Sequence, residues 1–314
     1  MAMIADATRN GWLPALAGRL CLTLLVPVMA TAAFGQELEP RAYGIAPIGT
    51  TIVLSGVGGT TGGILYDPSV PVADVEADLA VVTAGFGYTF ALAGRQARVL
   101  AIVPSAFGEI RGTASGVPQR QDLRGLTDPR IRFSIGLRGA RARSATEIAS
   151  APSARAMGLA VTVMPPLGQY DPLRIASLGY NRWAFKPELG ITQPFGRFTV
   201  EGAAGVWLFT DNNEYGASRL RKEQDALASF QVHAIYAITR RVWAAFDGTG
   251  FAGGETRIAR IVNPDEQRNT RMGATLSVPL ARQQSLKFTC STGTTTRRGT
   301  DFDSFNVTWQ LVRF

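Results

Sequence analysis

The stretch ALASFQVHAIYAI, residues 226–238, decides the fold. Ala228, Phe230, Val232, Ala234, Tyr236 and Ile238 fall on one face, and Ser229, Gln231 and His233 on the other. An apolar residue at every second position is the period of a β-strand, in which successive side chains point to opposite faces. The same alternation recurs on both sides of it. In 183–192, Phe185, Pro187, Leu189 and Ile191 oppose Lys186, Glu188 and Thr192. In 130–138, Ile131, Phe133, Ile135 and Leu137 oppose Arg130, Arg132, Ser134 and Arg138. In 271–280, Met272, Ala274, Leu276, Val278 and Leu280 oppose Arg271, Gly273, Thr275 and Ser277. In 285–291, Leu286, Phe288 and Cys290 oppose Lys287, Thr289 and Ser291.

Twelve such segments are expected, over 50–57, 76–91, 96–112, 129–139, 156–165, 183–194, 197–210, 226–239, 241–252, 269–280, 284–293 and 304–314. The second and third carry apolar residues on both faces. Tight links, Leu92 to Arg95, Phe195-Gly196, Arg240 and Ala281 to Gln283, alternate with long ones that hold Gly58-Gly59, Gly62-Gly63, Asp211-Asn212-Asn213, Gly253-Gly254 and Asn263-Pro264-Asp265. The Ala- and Arg-rich link 140–155 breaks the rule and has room for a short helix. Long loops on one side and short turns on the other are the pattern of an outer-membrane barrel.

Composition agrees. The chain has 314 residues, 46% apolar and 18% charged, with net charge +8, 34 Gly, 2 Cys and 1 His. Disorder is excluded by the apolar content, and a disulfide scaffold by the Cys count. One His and two Cys cannot close a zinc site. The basic residues form no run of the kind that binds nucleic acid. Arg9 and Arg19, the apolar run Leu20–Phe34, and Ala30 and Ala32 before Gln36 make residues 1–35 a secretory signal peptide, with Met3 open as an alternative start. Residues 36–314 then contain no apolar run long enough for a transmembrane helix. The fold expected is therefore all-β: an antiparallel transmembrane β-barrel of about twelve strands, with long extracellular loops and short periplasmic turns. A soluble sandwich shares the alternation, but Gly, Thr and Ser dominate the polar faces here, as a crowded lumen requires. The chain also ends on an aromatic, Phe314, so strand 304–314 is expected to be the signal read by the barrel-assembly machinery. Val312 and Phe314 fall out of phase with Phe305, Val307, Trp309 and Leu311, which calls for a bulge or an interfacial Phe314.

The segments LEPRAYGIAPIGT (38–50), GLTDPRIRFS (125–134), PLGQYDP (166–172), NRWAFKPELG (181–190), GVWLFTDNNEY (205–215) and SLKFTCSTGTTTR (285–297) together resemble the bacterial outer-membrane transporter family labelled "putative meta-pathway of phenol degradation". The resemblance implies a barrel for uptake of aromatic or other hydrophobic compounds, with no catalytic residues. It marks as motif positions Glu39, Pro40 and Arg41; Asp128, Pro129 and Arg130; Arg182, Trp183, Lys186 and Glu188; and Asp211 and Asn212.

Candidate lumen-lining residues are Arg130, Arg132, Arg138, Lys186, Glu188, Glu201, Trp207, His233, Asp247, Arg271 and Lys287. The basic members read either as a stripe guiding anionic solutes such as benzoate-like carboxylates, or as a network with Glu188, Glu201 and Asp247 that fills and stiffens a narrow barrel. Trp183, Trp207, Trp243 and Trp309 read as interfacial girdles or lumen fillers, and Trp207 with Phe209 as a stacking site for an aromatic ligand. His233 would need a Ser within reach to act as a base; Ser229, four residues back, is about 13 Å away along a strand, which argues against an outer-membrane hydrolase. Gly56–Gly63 has no phosphate-binding spacing and reads as a surface loop, and 211–214 as a polar turn and not a calcium loop. No cofactor or metal is implied. The expected partners are a small solute, membrane lipid and lipopolysaccharide, whose phosphates suit the positive charge.

Overall fold

In a bilayer, a strand satisfies its backbone only through neighbours on both sides, so alternating strands must close into a ring. The computed structural model describes residues 39–65, 72–114, 117–150, 154–174, 176–297 and 299–314. The leader expected over 1–35 lies outside them. The strands are β1 (Thr51–Leu65), β2 (Val72–Leu92), β3 (Arg95–Ala114), β4 (Val117–Leu126), β5 (Arg130–Arg138), β6 (Ala156–Met164), β7 (Ala184–Phe195), β8 (Phe198–Phe209) and β9 (Asn212–Tyr215). There follow β10 (Leu220–Gln224), β11 (Leu227–Ala237), β12 (Trp243–Gly253), β13 (Thr256–Ile258), β14 (Ile261–Val262), β15 (Gln267–Pro279), β16 (Gln284–Thr295) and β17 (Gly299–Arg313).

Twelve of these form the barrel, in the order β1-β17-β16-β15-β12-β11-β8-β7-β6-β5-β3-β2. Strand β1 pairs β17 antiparallel from Thr51 opposite Arg313 to Leu65 opposite Gly299. The ring closes where β2 meets the start of β1: the Thr89 N–H donates to the Thr50 carbonyl at 2.9 Å, and the Gly49 N–H to the Thr89 carbonyl at 2.7 Å. The twelve barrel strands are the twelve expected from the sequence. Alternation sorts the faces as expected: on β7, Phe185, Leu189 and Ile191 are exposed outward while Lys186, Glu188 and Thr192 are buried inward. Two-residue turns on the periplasmic side use the required conformations. Ala93 and Gly94 both take positive φ between β2 and β3, and Gly196 does so between β7 and β8.

The extracellular links differ from the expectation, because several are themselves strands. Gly58–Gly63 is not a loop: it lies inside β1, paired with β17 from Asn306 to Asp301. Glycine is what admits it. A Cβ on Gly58 would overlap the Asn306 side chain, and one on Gly62, at φ 153°, the Asp301 backbone. Gly58→Val is expected to cost about 1–3 kcal/mol by forcing this seam apart, read as a lower temperature for the heat-modifiable gel shift; an unchanged shift would show that the seam yields. Strand β4 pairs only with the outer half of β3. Strands β9 and β10, after β8, and β13 and β14, after β12, form a second sheet in the order β14-β13-β10-β9. Asn212, expected in a polar turn, opens β9 and is buried: it accepts from the Asn181 side chain at 3.0 Å and donates to the Tyr180 carbonyl at 3.2 Å.

Two further points correct the sequence reading. A register shift between Gly136 and Arg138 places Arg138 opposite Met157, off the inward face, so Arg138 is exposed and does not line the lumen. Strand β17 keeps its register with β1 to Arg313, so it has no terminal bulge; Val312 faces the lumen and Phe314 lies past the strand, 64% exposed. The helix allowed in 140–155 is present as α1 (Ala145–Ser150), capped by Ser144, whose Oγ donates to Glu147 at 2.6 Å.

Candidate functional site

Two closures and the space between them make the site. The first is the segment before β1, which enters the lumen from the periplasmic side. It carries no β alternation, and its polar groups bond to the barrel wall. The Tyr43 hydroxyl donates to Glu188 Oε1 at 2.6 Å, the Arg41 N–H to Glu201 Oε2 at 2.5 Å, and the Ala46 N–H to Gln96 Oε1 at 2.8 Å. The Arg41 guanidinium sits 4.7 Å from the Trp243 ring centroid, and that of Arg132 4.9 Å from the Tyr43 ring. Gly190 on β7 leaves the room that the Tyr43 ring fills.

The second closure is the link between β6 and β7. Asp128, just before β5, pins it: its carboxylate accepts from the Gly168 N–H at 2.8 Å and the Tyr180 N–H at 2.7 Å. Burial pushes the Asp128 carboxyl above the ordinary carboxylate range, against the pull of those same N–H groups. Leu178 of this link packs with Val75, Leu79, Ala106, Ile110, Leu123 and Phe302 into an apolar cluster inside the extracellular half of the barrel. Above it, burial followed by the Arg182 charge pushes the Lys222 ammonium down to about 8, and its Nζ lies 4.4 Å from the Tyr215 ring.

Between the closures runs a cavity of about 870 Å³, within the range of small-molecule sites. The aliphatic part of its wall comes from strands β1 to β3, with Ile52, Leu54, Val81, Leu100, Ile102 and Pro104 beside Thr83 and Arg98. Strands β15 to β17 give a polar part, Ser277, Lys287, Thr289, Asn306, Thr308 and Gln310, and strands β5 to β8 and β12 add Arg130, Thr192, Glu201 and Trp243. The cavity follows the Glu39–Ala46 segment to the periplasmic mouth, where Arg143, Ile148 of α1 and Arg241 line it. The double apolarity of β2 and β3 now has its cause: one face meets lipid, and the other meets the apolar cluster in the outer half and this cavity below it.

The expected lumen residues divide into separate groups. Lys186, Glu188 and Arg132 come together: Glu188 accepts from Lys186 Nζ at 2.6 Å and from Arg132 Nη2 at 2.9 Å, and Gln231 adds a bond at 3.2 Å. Glu201 stands apart from them, holding the Arg41 backbone, with its Oε1 buried and unpartnered. His233 and Asp247 form a buried pair at 2.7 Å, and Asp247 also accepts from Thr275 at 2.7 Å. The acid that would orient a catalytic His is thus present, yet the pair is not among the cavity-lining residues. Trp207 is buried with Ala184 and Leu227, with Lys186 Nζ 5.5 Å from its ring; it borders a minor space of about 30 Å³ and is not among the residues that line the large cavity. Arg271 is buried against the Phe302 carbonyl. Arg130 and Lys287 line the large cavity. Trp243 lines it as well, whereas Trp183 is exposed and stacks on Phe185. Among the described residues, no three His, Cys, Asp or Glu side chains are grouped to hold a metal ion.

Sequence reasoning missed Tyr43, Gln96 and Arg98, the last of which lines the cavity from β3 with its Nε donating to the Thr89 hydroxyl at 3.3 Å. Tyr43 stood inside a quoted motif, but nothing in its spacing showed that the segment turns back into the lumen.

A family model described as "Putative MetA-pathway of phenol degradation" matches residues 58–309. Among solved structures, an outer membrane channel from Pseudomonas putida F1 aligns with a TM-score of 0.74 at 19% identity, covering 88% of this chain and 100% of that one. The β domain of the Bordetella autotransporter BrkA aligns with a TM-score of 0.50 at 8% identity, covering 84% and 100%. No curated protein matches.

Proposed function

The chain belongs to the family described as "Putative MetA-pathway of phenol degradation", and from that premise we propose that it is a channel of the bacterial outer membrane for passive passage of small solutes with an aromatic or hydrophobic body. The observation that carries this is the 870 Å³ cavity inside a closed barrel, part aliphatic and part polar. An aliphatic wall has no use in a water-filled pore and no place in a structural plug, which would be packed. Specificity rests on the width and lining of this passage, with no energy source in the chain. No catalytic role is assigned; His233 and Asp247 serve the wall. The reading also takes strand 304–314 as the segment presented to the barrel-assembly machinery, and the outer face as set in membrane lipid and lipopolysaccharide.

The test is single-channel conductance of the refolded mature protein in a planar bilayer, with and without phenol or benzoate. A small steady conductance, reduced by either solute, is the expected result. A flat trace from an inserted barrel, with no solute entering proteoliposomes, would leave a closed structural or surface-interaction barrel in its place.

A further inference from the structure

The basic residues of the lumen are not one stripe. Arg132 is neutralised by Glu188 at 2.9 Å and Glu39 at 3.5 Å, Arg138 faces out of the lumen, and Arg271 is taken up by the Phe302 carbonyl. Among the described residues no cation that lines the cavity forms an ion pair with a carboxylate, Arg98, Arg130 and Lys287 included. The Arg130 Nε is buried with no partner. Lys287 has neither a hydrogen bond nor an ion pair among the described residues. Seven Arg and Lys side chains line the cavity against three carboxylates, Glu39, Asp128 and Glu201. Glu201 is already bonded to Arg41 and Asp128 to the Gly168 and Tyr180 N–H groups. A charge kept in a half-apolar space without a partner is costly unless a ligand completes it.

We infer that the cavity is a binding site for an amphipathic monoanion, an aromatic or branched carboxylate whose charged end meets Lys287 or Arg130 and whose body lies on Ile52, Leu54, Leu100 and Ile102 between them. The inference rests on the channel reading for its biological use, but not for its test. Neutral phenols satisfy the aliphatic wall alone and leave both cations unanswered. Simple inorganic anions satisfy the cations and forgo the wall. A carboxylate on a ring is the smallest solute that does both.

The experiment is binding to the detergent-solubilised mature protein, read through the fluorescence of Trp243, which lines the cavity, alongside uptake into proteoliposomes. The probes are benzoate, benzamide, acetate and benzylammonium. A charge-assisted bond at a desolvated site should make benzoate bind roughly ten- to hundredfold more tightly than benzamide, and acetate should also be weaker, for want of the wall. Lys287→Gln and Arg130→Gln should each erode the preference for benzoate while leaving benzamide unchanged, and Lys287→Glu should turn it toward benzylammonium; Arg138→Gln, on the outward face, is the control. Equal binding of benzoate and benzamide, or displacement of benzoate by equimolar chloride, would overturn the inference. Selective binding without uptake would uphold the site and defeat the channel reading. Uptake without selectivity would do the reverse.

Discussion

Removing residues 39–48 is expected to raise single-channel conductance several-fold, the largest functional change any short deletion in this protein should produce. The segment occupies the lumen and is held there by Tyr43 on Glu188, Arg41 on Glu201 and Ala46 on Gln96. None of these bonds belongs to the barrel ladder, so the twelve strands keep their register without it. Glu188 retains Lys186 and Arg132 after the Tyr43 hydroxyl is gone, so no buried charge is abandoned at that point. A second route to the same state leaves the chain length alone. Gly190→Leu puts side-chain atoms where the Tyr43 ring now lies, and the ring cannot stay docked. Both variants should conduct alike. If neither conducts more than the parent, the segment is not what limits passage, and the cap pinned by Asp128 becomes the barrier to remove next.

The strands of the barrel were legible because the bilayer enforces a pattern that the sequence must carry. Phe230 and Val232 on one face of β11, with Ser229 and His233 on the other, cannot be arranged otherwise in a strand between lipid and lumen. What lies beyond the bilayer carries no such mark. Strands β9, β10, β13 and β14 are two to five residues long and pair between two loops far apart in the chain, Lys222 opposite Ile258 among them. Only their mutual pairing makes them strands. The Gly58–Gly63 run misled for a related reason: glycine signals a turn as readily as a close approach of two backbones, and only the partner, Asn306 and Asp301 on β17, decides between them. Arg138 was misplaced by a single irregular step at Gly136, since one extra residue sends every following side chain to the other face.

The site was legible in its parts but not in its grouping. Glu188 and Lys186 are two residues apart on one strand and were bound to meet, as they do at 2.6 Å. That Arg132 joins them while Arg130, two residues away, is left in the cavity depends on which strands are neighbours and on what the entering segment covers. Spacing along one strand holds neither fact. The aliphatic inner face of β1 to β3 did leave a trace, as double apolarity in the second and third strands. That trace is information about the lumen.

The network around Glu188 sets the second large effect. Its carboxylate has two cations, Lys186 at 2.6 Å and Arg132 at 2.9 Å, with side chains 3%, 6% and 15% exposed in that order. Removing the acid alone takes from both buried cations the carboxylate they share, and leaves Arg132 with Glu39 at 3.5 Å. Glu188→Ala should therefore cost about 3–5 kcal/mol of barrel stability, measured by urea unfolding in lipid vesicles. Removing charge from both sides tells the origin of that cost. Lys186→Met with Glu188→Gln returns an amide to Tyr43 and Gln231 and leaves Arg132 to Glu39, so most of the loss should be recovered. An exposed pair supplies the scale. Arg257 holds Asp225 through two bonds of 2.8 and 2.7 Å in the extracellular sheet, with the side chains 35% and 46% exposed. Solvent screens that pair, and Arg257→Ala should leave the stability of the barrel almost unchanged. The contrast between the two substitutions is the prediction, because it depends on burial and not on the number of bonds lost. If Glu188→Ala costs no more than Arg257→Ala, lumen water already screens the network, and the charges around Tyr43 hold the entering segment in place without stiffening the barrel.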